Sequence, residues 1–301
     1  MNSFFAVMDE IDVILIKKLF ENSRITYREL AEEIDMSVSA IHKRIKSLED
    51  TGIINAYTAR PTVLALKSLW TIIFGTSKAK SMETVSKELG QHENTEFVGI
   101  TGGKFLYISG FLRNISELQE YSTFVSNTAQ ISQPTVGIIN VPYETIPEPL
   151  TSIDYKILKT LNRDSRKSIT DIADDVGLSA KTVRKRLNRM IENNLATFSI
   201  DYTPLYENSF ITVFHLHLNE GTDMNSTFQY INEKYSQNIF HSYTYSNIPN
   251  FITITSWAKT AQNSQKIQKD LLTEGFKDVI PHIFLSIKWY ECWVDQLLRT
   301  K

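Results

Sequence analysis

The sequence predicts an α+β fold in which two winged helix-turn-helix heads alternate with two βαββαβ (ferredoxin-like) domains. Three observations lead to this class: an internal repeat with helical periodicity, strand-like segments after each copy, and helical segments between those strands. The length of 301 residues suits two to four compact units better than one. We predict four domains: head 1 at residues 1–60, βαββαβ domain 1 at 61–148, head 2 at 149–203 and βαββαβ domain 2 at 204–301.

Composition excludes several classes of protein. The chain is 42% hydrophobic and 22% charged, as globular proteins are, and its formal net charge is −2. No apolar run approaches the roughly 20 residues that span a bilayer, and the stretch "MNSFFAVMDEID" lacks the features of a secretion signal. The single cysteine, Cys292, excludes a disulfide framework and a cysteine-rich zinc site, and its aromatic neighbours indicate a packing role. We therefore expect a cytoplasmic protein without a metal or cofactor.

A repeat identifies the two heads. A shift of 142 residues aligns 9–54 with 151–196 without a gap. Ten of the 46 aligned pairs are identical, whereas chance would give about three. Among the identical pairs are Ser23/Ser165, Arg24/Arg166, Lys43/Lys185 and Arg44/Arg186.

Each copy of the repeat predicts three helices, because apolar residues recur at helical spacing behind residues that favour helix N-termini. Gly52 ends the third helix of head 1 and Asn194 that of head 2, where a left-handed backbone suits both residue types. The predicted N-caps are Asp9, Thr26 and Ser37 in head 1 and Thr151, Ser168 and Ser179 in head 2.

The outward face of the third helix separates a DNA-reading head from a helical bundle used for protein contacts. With the apolar positions turned inward, the 100° step per residue exposes cations, and acids follow only at the far end. We interpret this face as one that enters a DNA groove rather than as an ordinary solvated surface. The predicted DNA-binding residues are Ser37, Ser39, His42, Lys43, Arg44 and Lys46 in head 1, and Ser179, Lys181, Thr182, Arg184, Lys185, Arg186, Asn188 and Arg189 in head 2.

Arg44 and Arg186 have two interpretations. Each lies at the edge of the apolar stripe, where the guanidinium either grips a phosphate or pairs with an acid of its own head, Asp12 or Asp154. The charge of the third helix also differs, with +1 over residues 37–50 and +4 over 179–192. Head 2 should therefore contribute more of the non-specific DNA affinity.

The segments after the heads have the order βαββαβ, which indicates an antiparallel sheet with helices on one face. Gly102-Gly103 between two strand-like segments indicates a hairpin. Residues 60–64 and 141–149 are predicted linkers. Strands are predicted at 69–77, 96–101, 104–112 and 134–141, then at 209–218, 239–246, 251–258 and 279–290; helices at 82–92, 116–128, 223–236 and 260–274.

The first strand of each sheet is apolar on both faces. In "LWTIIFG", Trp70 and Phe74 share one face while Ile73 occupies the other, and in "FITVFHLHL" Phe214 and Val213 lie on opposite faces. A sheet with helices on one side should be polar on the other unless something buries that side. We expect the cover to be another such sheet, from this chain or a partner, which favours a homo-oligomer.

These features together resemble the Lrp/AsnC (feast/famine) family of transcription regulators. The best matches are "IDVILIKKLFENSRITYRELAEEIDMSVSAIHKRIKSLEDTGII" and "IDYKILKTLNRDSRKSITDIADDVGLSAKTVRKRLNRM". The resemblance implies binding to double-stranded DNA through the third helices, dimerisation through the sheet domains, and control by an amino-acid-like effector. Family members usually carry one head and one sheet domain, so this duplicated chain would mimic a dimer.

The resemblance also implies an effector site at the glycine-bearing turn, with Thr101, Gly102 and Gly103 as ligand candidates. The chain departs from the family's pattern there, since Lys104-Phe105 replaces an aromatic-Asp pair. The second half, with "YSNIPNFI", lacks a glycine turn.

A rival interpretation comes from the sirohaem decarboxylases, tetrapyrrole-binding enzymes that also resemble this family. His215 and His217 point the same way on one strand, and His282 should lie on the neighbouring strand. Three such histidines could bind a tetrapyrrole or a metal, but interface residues hydrogen-bonded across a sheet–sheet contact are the simpler interpretation. The sequence contains no phosphate-binding loop, nucleophile elbow or H-E-x-x-H motif. Basic duplicated heads therefore favour a regulator that is not an enzyme.

Overall fold

The computed structural model describes residues 8–141, 149–203 and 209–300. None of the helices in these ranges combines the length and the apolar character needed to cross a bilayer. The helices are α1 (Glu10–Glu21), α2 (Tyr27–Ile34), α3 (Val38–Asp50), α4 (Val63–Leu66), α5 (Met82–Leu89), α6 (Glu117–Ala129), α7 (Ser152–Leu161), α8 (Ile169–Val176), α9 (Ala180–Glu192), α10 (Met224–Lys234), α11 (Ala261–Leu272) and α12 (Trp293–Thr300). The strands are β1 (Ile54–Pro61), β2 (Leu69–Thr76), β3 (Thr95–Thr101), β4 (Phe105–Leu112), β5 (Thr135–Ile138), β6 (Ala196–Tyr202), β7 (Phe210–His217), β8 (Ile239–Thr244), β9 (Phe251–Ala258) and β10 (Asp278–Trp289).

The six predicted N-caps of the heads are confirmed. Each cap side chain accepts a hydrogen bond from the backbone amide three residues later. At Asp9, Thr26 and Thr151 the acid at the third helical position also accepts a hydrogen bond from the backbone N–H of the cap residue, which completes a capping box. The left-handed backbone predicted after the third helices is present, with φ of 73° at Gly52 and 49° at Asn194.

The two heads are joined by their wings. β1 follows α3, β6 follows α9, and the two strands pair antiparallel along their length. The interpretation of residues 60–64 as a linker is therefore wrong. Arg60 and Pro61 belong to β1, and α4 begins directly after Thr62, whose side chain caps it. The predicted linker 141–149 lies mostly outside the described residues, which resume at Pro149.

A second contact between the heads lies at the turns that join their first two helices. The hydroxyls of Ser23 and Ser165 are hydrogen-bonded to each other and fully buried. Arg24 donates to the carbonyl of Ser165, and Arg166 donates to the carbonyl of Ser23 at 2.8 Å. Equivalent positions of the repeat thus contact each other reciprocally, as at an isologous interface. The heads are related by an approximate two-fold axis that passes between the two serines.

The sheet domains form one continuous sheet of eight strands in the order β5-β2-β4-β3-β10-β7-β9-β8. Each half keeps the order expected of a βαββαβ unit, and β10 is long enough to pair with β7 and then with β3. The outermost strands also meet, through a bridge between Ile139 and Tyr245 and a hydrogen bond from the amide of Asn140 to the carbonyl of Thr244. The two halves therefore close upon each other.

The prediction that a second βαββαβ sheet covers the first is confirmed within one chain, because the two halves of the eight-stranded sheet cover each other. Ile73 belongs to the core beneath α5 and α6, and Phe214 to the core beneath α10 and α11. On the opposite face, Phe74, Val213 and Phe251 belong to a core that lies between the sheets and continues into head 1. Burial on both faces explains why β2 and β7 carry apolar side chains on both faces.

A buried charge cluster attaches the wings to the sheets. Arg60 of β1 donates from Nε to Asp295 Oδ1 at 2.7 Å, and its Nη1 lies 3.6 Å from both Glu96 Oε1 and Asp201 Oδ1. The arginine side chain is 14% exposed, and Asp295 is 1% exposed. Burial alone would lower the pKa of Arg60, but the three carboxylates raise it above its ordinary value. The cluster joins β1, β3, β6 and α12, so it fixes both wings against the sheet and the last helix.

Glu96 makes the stability of this cluster pH-dependent. Burial raises the pKa of Glu96 to about 7, against the lowering effects of Arg60 and of the hydroxyl of Ser109, which donates to its carboxylate at 3.0 Å. A raised pKa means that folding binds a proton. The stabilisation that this proton supplies is therefore complete below pH 4.5, the ordinary value, and is lost as the pH rises through about 7.

We expect Glu96→Gln to remove this loss. The free energy of unfolding of the variant, relative to the natural protein, should rise by about 3 kcal/mol between pH 4 and pH 8. Urea unfolding at several pH values measures this difference, and Glu88→Gln on the exposed side of α5 is the control. An unchanged difference across the pH range would show that the pKa of Glu96 is the same in the folded and the unfolded chain.

Candidate nucleic-acid interface

Each head presents its third helix through a tight turn. α2 ends at Ile34 and α3 begins at Val38, with Asp35 between them in the left-handed conformation at φ of 55°. The turn between α8 and α9 is built the same way around Gly177, at φ of 68°. This helix-turn-helix arrangement lets the third helix stand out from the core of its head.

The predicted division of the third helices into two faces is confirmed. Ile41 and Ile45 are fully buried in α3, as is Val183 in α9, and they meet the first two helices of their heads. The opposite face is open to solvent. Its exposed members are Ser37, Ser39, His42, Lys43 and Lys46 in head 1 and Ser179, Lys181, Arg184, Lys185 and Asn188 in head 2, with Thr182 half-buried.

Arg44 is paired within its own head. Its guanidinium contacts Asp12 Oδ1 at 2.8 Å and Asp9 Oδ2 at 3.0 Å. The two acids are the cap and the third residue of α1, so the arginine ties α3 to the start of the first helix. Of the two interpretations of Arg44, the structure shows the pairing with an acid.

Head 2 uses two arginines for the same purpose. Arg186 Nη1 lies 3.6 Å from Asp154 Oδ1, and Arg189 Nη1 donates to Asp154 Oδ2 at 2.9 Å. Arg189 also donates to the carbonyl of Pro149. Arg189, one of the predicted DNA-binding residues, is 20% exposed, and its guanidinium pairs within head 2. A buried carboxylate needs charged partners, and Asp154 is completely buried.

Lys46 is also held by acids of its own helix. Its ammonium lies 2.9 Å from Asp50 Oδ1 and 3.9 Å from Glu49 Oε2, and the hydrogen bond to Asp50 raises the pKa of Lys46. Among the described residues, no acid forms an ion pair with the cations that remain on the two faces: Lys43 in head 1, and Lys181, Arg184 and Lys185 in head 2. The difference between the heads therefore persists after the internal pairs are formed.

The sequence interpretation missed the role of Arg24 and Arg166. The two arginines form one identical pair of the repeat. This identity is the signal that could have placed them at a symmetric contact between the heads. Arg166 also lies 4.6 Å from the centre of the Tyr27 ring, in head 1. These residues orient one head against the other, and with them the two third helices.

The predicted ligand residues lie at the turn between β3 and β4. Thr101 is fully buried and donates its hydroxyl hydrogen to the carbonyl of Phe105 at 3.0 Å. Gly102 and Gly103 are exposed, and a Cβ at either would meet no atom within 4 Å. The turn is the predicted hairpin between β3 and β4.

The three predicted histidines do come together between the sheets. The rings of His215 and His282 are 4.7 Å apart, and Nε2 of His215 is hydrogen-bonded to the hydroxyl of Tyr107 at 2.7 Å. His282 stacks on Phe105 at 4.1 Å. This contact across the sheets is the simpler interpretation given above. Within residues 8–141, 149–203 and 209–300, no group of three or more His, Cys, Asp or Glu is arranged to hold a metal ion.

Cys292 has the packing role that its neighbours indicated. It is fully buried with Trp293 and Val294. Burial raises the pKa of its thiol to about 12, and Asp295 adds to this effect. A thiol that stays protonated at neutral pH is a poor nucleophile.

Comparisons with known proteins agree with the architecture of the heads. The AsnC-type helix-turn-helix domain matches residues 150–191, and a winged helix-turn-helix DNA-binding domain matches residues 8–55. An uncharacterized HTH-type transcriptional regulator of Pyrococcus furiosus is 34% identical over 116 residues, which are 38% of this chain and 78% of that protein. The HTH-type transcriptional regulator FL11 of the same organism is 26% identical over 147 residues, 48% of this chain and 97% of its own length.

Solved structures of a siroheme decarboxylase match nearly the whole chain. The siroheme decarboxylase NirDL is 12% identical, with a TM-score of 0.61 over 97% of this chain and 98% of NirDL. At this identity the likeness shows a shared fold. About half of this chain is enough to cover FL11, whereas NirDL extends over 97% of this chain. The duplicated arrangement therefore occurs in another protein.

Proposed function

The chain belongs to the Lrp/AsnC family of transcription regulators, and on this basis we propose that it binds duplex DNA with both heads, as a single-chain equivalent of a dimer. The observation that carries the proposal is the exposed face of α9, which bears several cations. The exposed face of α3 bears fewer. A helix presented in this way fits the major groove. Lys181, Arg184 and Lys185 would contribute phosphate and base contacts in head 2, and His42 and Lys43 in head 1.

The approximate two-fold axis supports a defined spacing of the two contacts. A symmetric pair of heads reads half-sites about 34 Å apart, one helical turn of DNA. The wing pairing and the Ser23–Ser165 contact hold the heads in one arrangement. Because α3 and α9 differ in sequence, the two half-sites should differ as well, so we expect a bound site without perfect palindromic symmetry.

Selection of bound genomic fragments tests this proposal. The natural protein should enrich a common sequence motif with two unequal half-sites. The variant Lys181→Glu/Lys185→Glu should lose most of the enrichment, because both cations lie on the exposed face of α9. The matched control Lys259→Glu/Lys277→Glu changes two exposed lysines of the second sheet domain and should enrich the same motif. Equal enrichment by both variants would exclude α9 as the contact surface.

The arginines that pair within the heads have a different role in this proposal. Arg44, Arg186 and Arg189 hold the third helices against Asp9, Asp12 and Asp154 and set the angle at which the exposed face is presented. Any contact of these arginines with phosphate would be secondary, because each guanidinium already pairs with a carboxylate.

The tetrapyrrole enzyme is the less favoured alternative. The proposal that the chain is not an enzyme is supported by the names of its relatives, which are regulators. A tetrapyrrole with several carboxylates needs several cations, and among the described residues Lys78 is the one cation that lines the cavity beside the histidines. The basic faces of α3 and α9 would also serve no purpose in such an enzyme. A Soret band after addition of a tetrapyrrole, lost in His215→Ala, would support the enzyme instead.

Self-association of the chain remains a proposal. The inner sheet faces, which suggested a partner, are covered within the chain itself. Ile283 and Leu285 on β10 are apolar side chains that are 41% and 68% exposed. An oligomer would therefore use the outer side of β10 and not the inner faces.

A further inference from the structure

A cavity of about 880 Å³ opens between the two halves of the closed sheet. Phe74 and Thr76 at the end of β2 and His215 and His217 at the end of β7 all line it, and the rings of Phe74 and His215 are 5.0 Å apart. These are matching positions of the two βαββαβ units, so the cavity lies near the approximate two-fold axis of the chain. Its volume falls in the range of about 300–1,000 Å³ that is typical of small-molecule sites.

Aromatic rings form much of its wall. The ring of Phe74 is 6.1 Å from that of Phe105 and 6.0 Å from that of Phe251. His282 stacks on Phe105, and the ring of His217 is 4.9 Å from that of Phe251. At these separations the rings contact one another and together form an aromatic wall. Such a wall favours a flat, unsaturated guest, which gains apolar burial and stacking contacts against it.

The imidazoles supply polar groups that the protein leaves unused. Among the described residues, neither His217 nor His282 has a hydrogen-bond partner for its ring nitrogens, whereas His215 is bonded to Tyr107. Burial lowers the pKa of His215 to about 3 and also lowers that of His282. The rings of His215 and His282 are therefore neutral at neutral pH, and each carries one N–H donor and one acceptor nitrogen.

One charge is placed at the opening. Lys78 lines the cavity and is exposed, and none of the residues that line it is acidic. The side chain of Lys104, from the neighbouring turn, donates to the carbonyl of Ala79. A guest with a negative group would thus meet a cation at the opening and no like charge inside.

We propose that this cavity binds a small aromatic molecule with one anionic group, its ring against the phenyl and imidazole rings of the wall and its anion toward Lys78. The site is distinct from the exposed glycine turn at Gly102 and Gly103, which does not line the cavity. Because the walls come from both halves of the chain, a guest would hold the two halves in one arrangement. As a regulatory site it rests on the proposed DNA-binding function, but binding itself is measured without DNA, so the two can fail separately.

Two fluorescent probes with one ring system test the proposal: anilinonaphthalene sulfonate, which is an anion, and N-phenylnaphthylamine, which is uncharged. The full chain should bind one equivalent of either probe. Lys78→Glu should weaken binding of the sulfonate probe by about tenfold or more, since it places a like charge beside the anion. The affinity for the uncharged amine probe should not change. Lys80→Glu, an exposed lysine outside the lining, should change neither affinity.

A second variant tests the location independently of charge. Thr76 is exposed and lines the opening, so Thr76→Trp should obstruct the cavity and abolish binding of both probes without disturbing a buried residue. Retained affinity in Thr76→Trp, equal sulfonate affinities for the two lysine variants, or several equivalents bound to the natural protein would each overturn the proposal. Unchanged circular dichroism of the variants confirms that they are folded.

Discussion

Replacement of Arg60 by methionine should destabilise the protein by about 3–5 kcal/mol, because removal of one partner leaves buried charges without compensation. The arginine is the shared partner of Asp295, Glu96 and Asp201, whose side chains are 1%, 9% and 11% exposed. Methionine preserves much of the volume, so the loss reflects charge more than packing. Urea unfolding followed by tryptophan fluorescence measures it, since Trp70 and Trp293 lie in the adjoining sheet and last helix.

Arg163→Met is the matched control for this prediction. Arg163 pairs with Asp201 at 3.1 Å but is 57% exposed, so solvent replaces it at a cost of about 1 kcal/mol or less. The double variant Arg60→Met/Glu96→Gln should recover part of the stability, because one buried charge is removed with its partner. If Arg60→Met were no more destabilising than Arg163→Met, the cluster would not hold the wings in place.

The second large effect concerns DNA affinity and its dependence on salt. Lys181→Ala/Lys185→Ala should weaken binding roughly 10- to 100-fold at low salt and reduce the slope of log K against log salt by about 2, as expected for two lost phosphate contacts. Lys43→Ala/Lys46→Ala should reduce the slope by about half as much, because Lys46 is already held by Asp50 at 2.9 Å. Fluorescence anisotropy with a labelled duplex at several salt concentrations measures both slopes. Equal reductions would contradict the ranking of the two heads.

Much of the chain was predictable from local pattern. The six caps, the inward positions Ile41 and Val183, and the eight strands of the βαββαβ units were all found close to where they were predicted. These features depend on neighbours three or four residues away in a helix, or two away in a strand, and such neighbours are visible in the sequence. The repeat added long-range information, since it marked Ser23 and Ser165 before any contact between them was known.

The charged residues show where this reasoning ends. From the sequence, Arg44 and Arg186 have two interpretations, a phosphate contact or a pair with Asp12 or Asp154, and Arg189 is assigned to the DNA-reading face. Their carboxylate partners lie 32 to 35 residues away and become neighbours only when the first and third helices pack. Helical periodicity predicts the face of the helix from which a long side chain projects. It does not predict which group the charged end of that side chain contacts.

The sequence by itself determined the duplicated architecture, the family and the exposed face of each third helix, because all three follow from repeated residues and short-range periodicity. The tertiary structure alone decided that the wings pair, that Arg60 is buried among three acids, and that the sheets close around a histidine-lined cavity. These depend on residues more than a hundred positions apart, such as Arg60 and Asp295, which are brought together by the simultaneous packing of both halves.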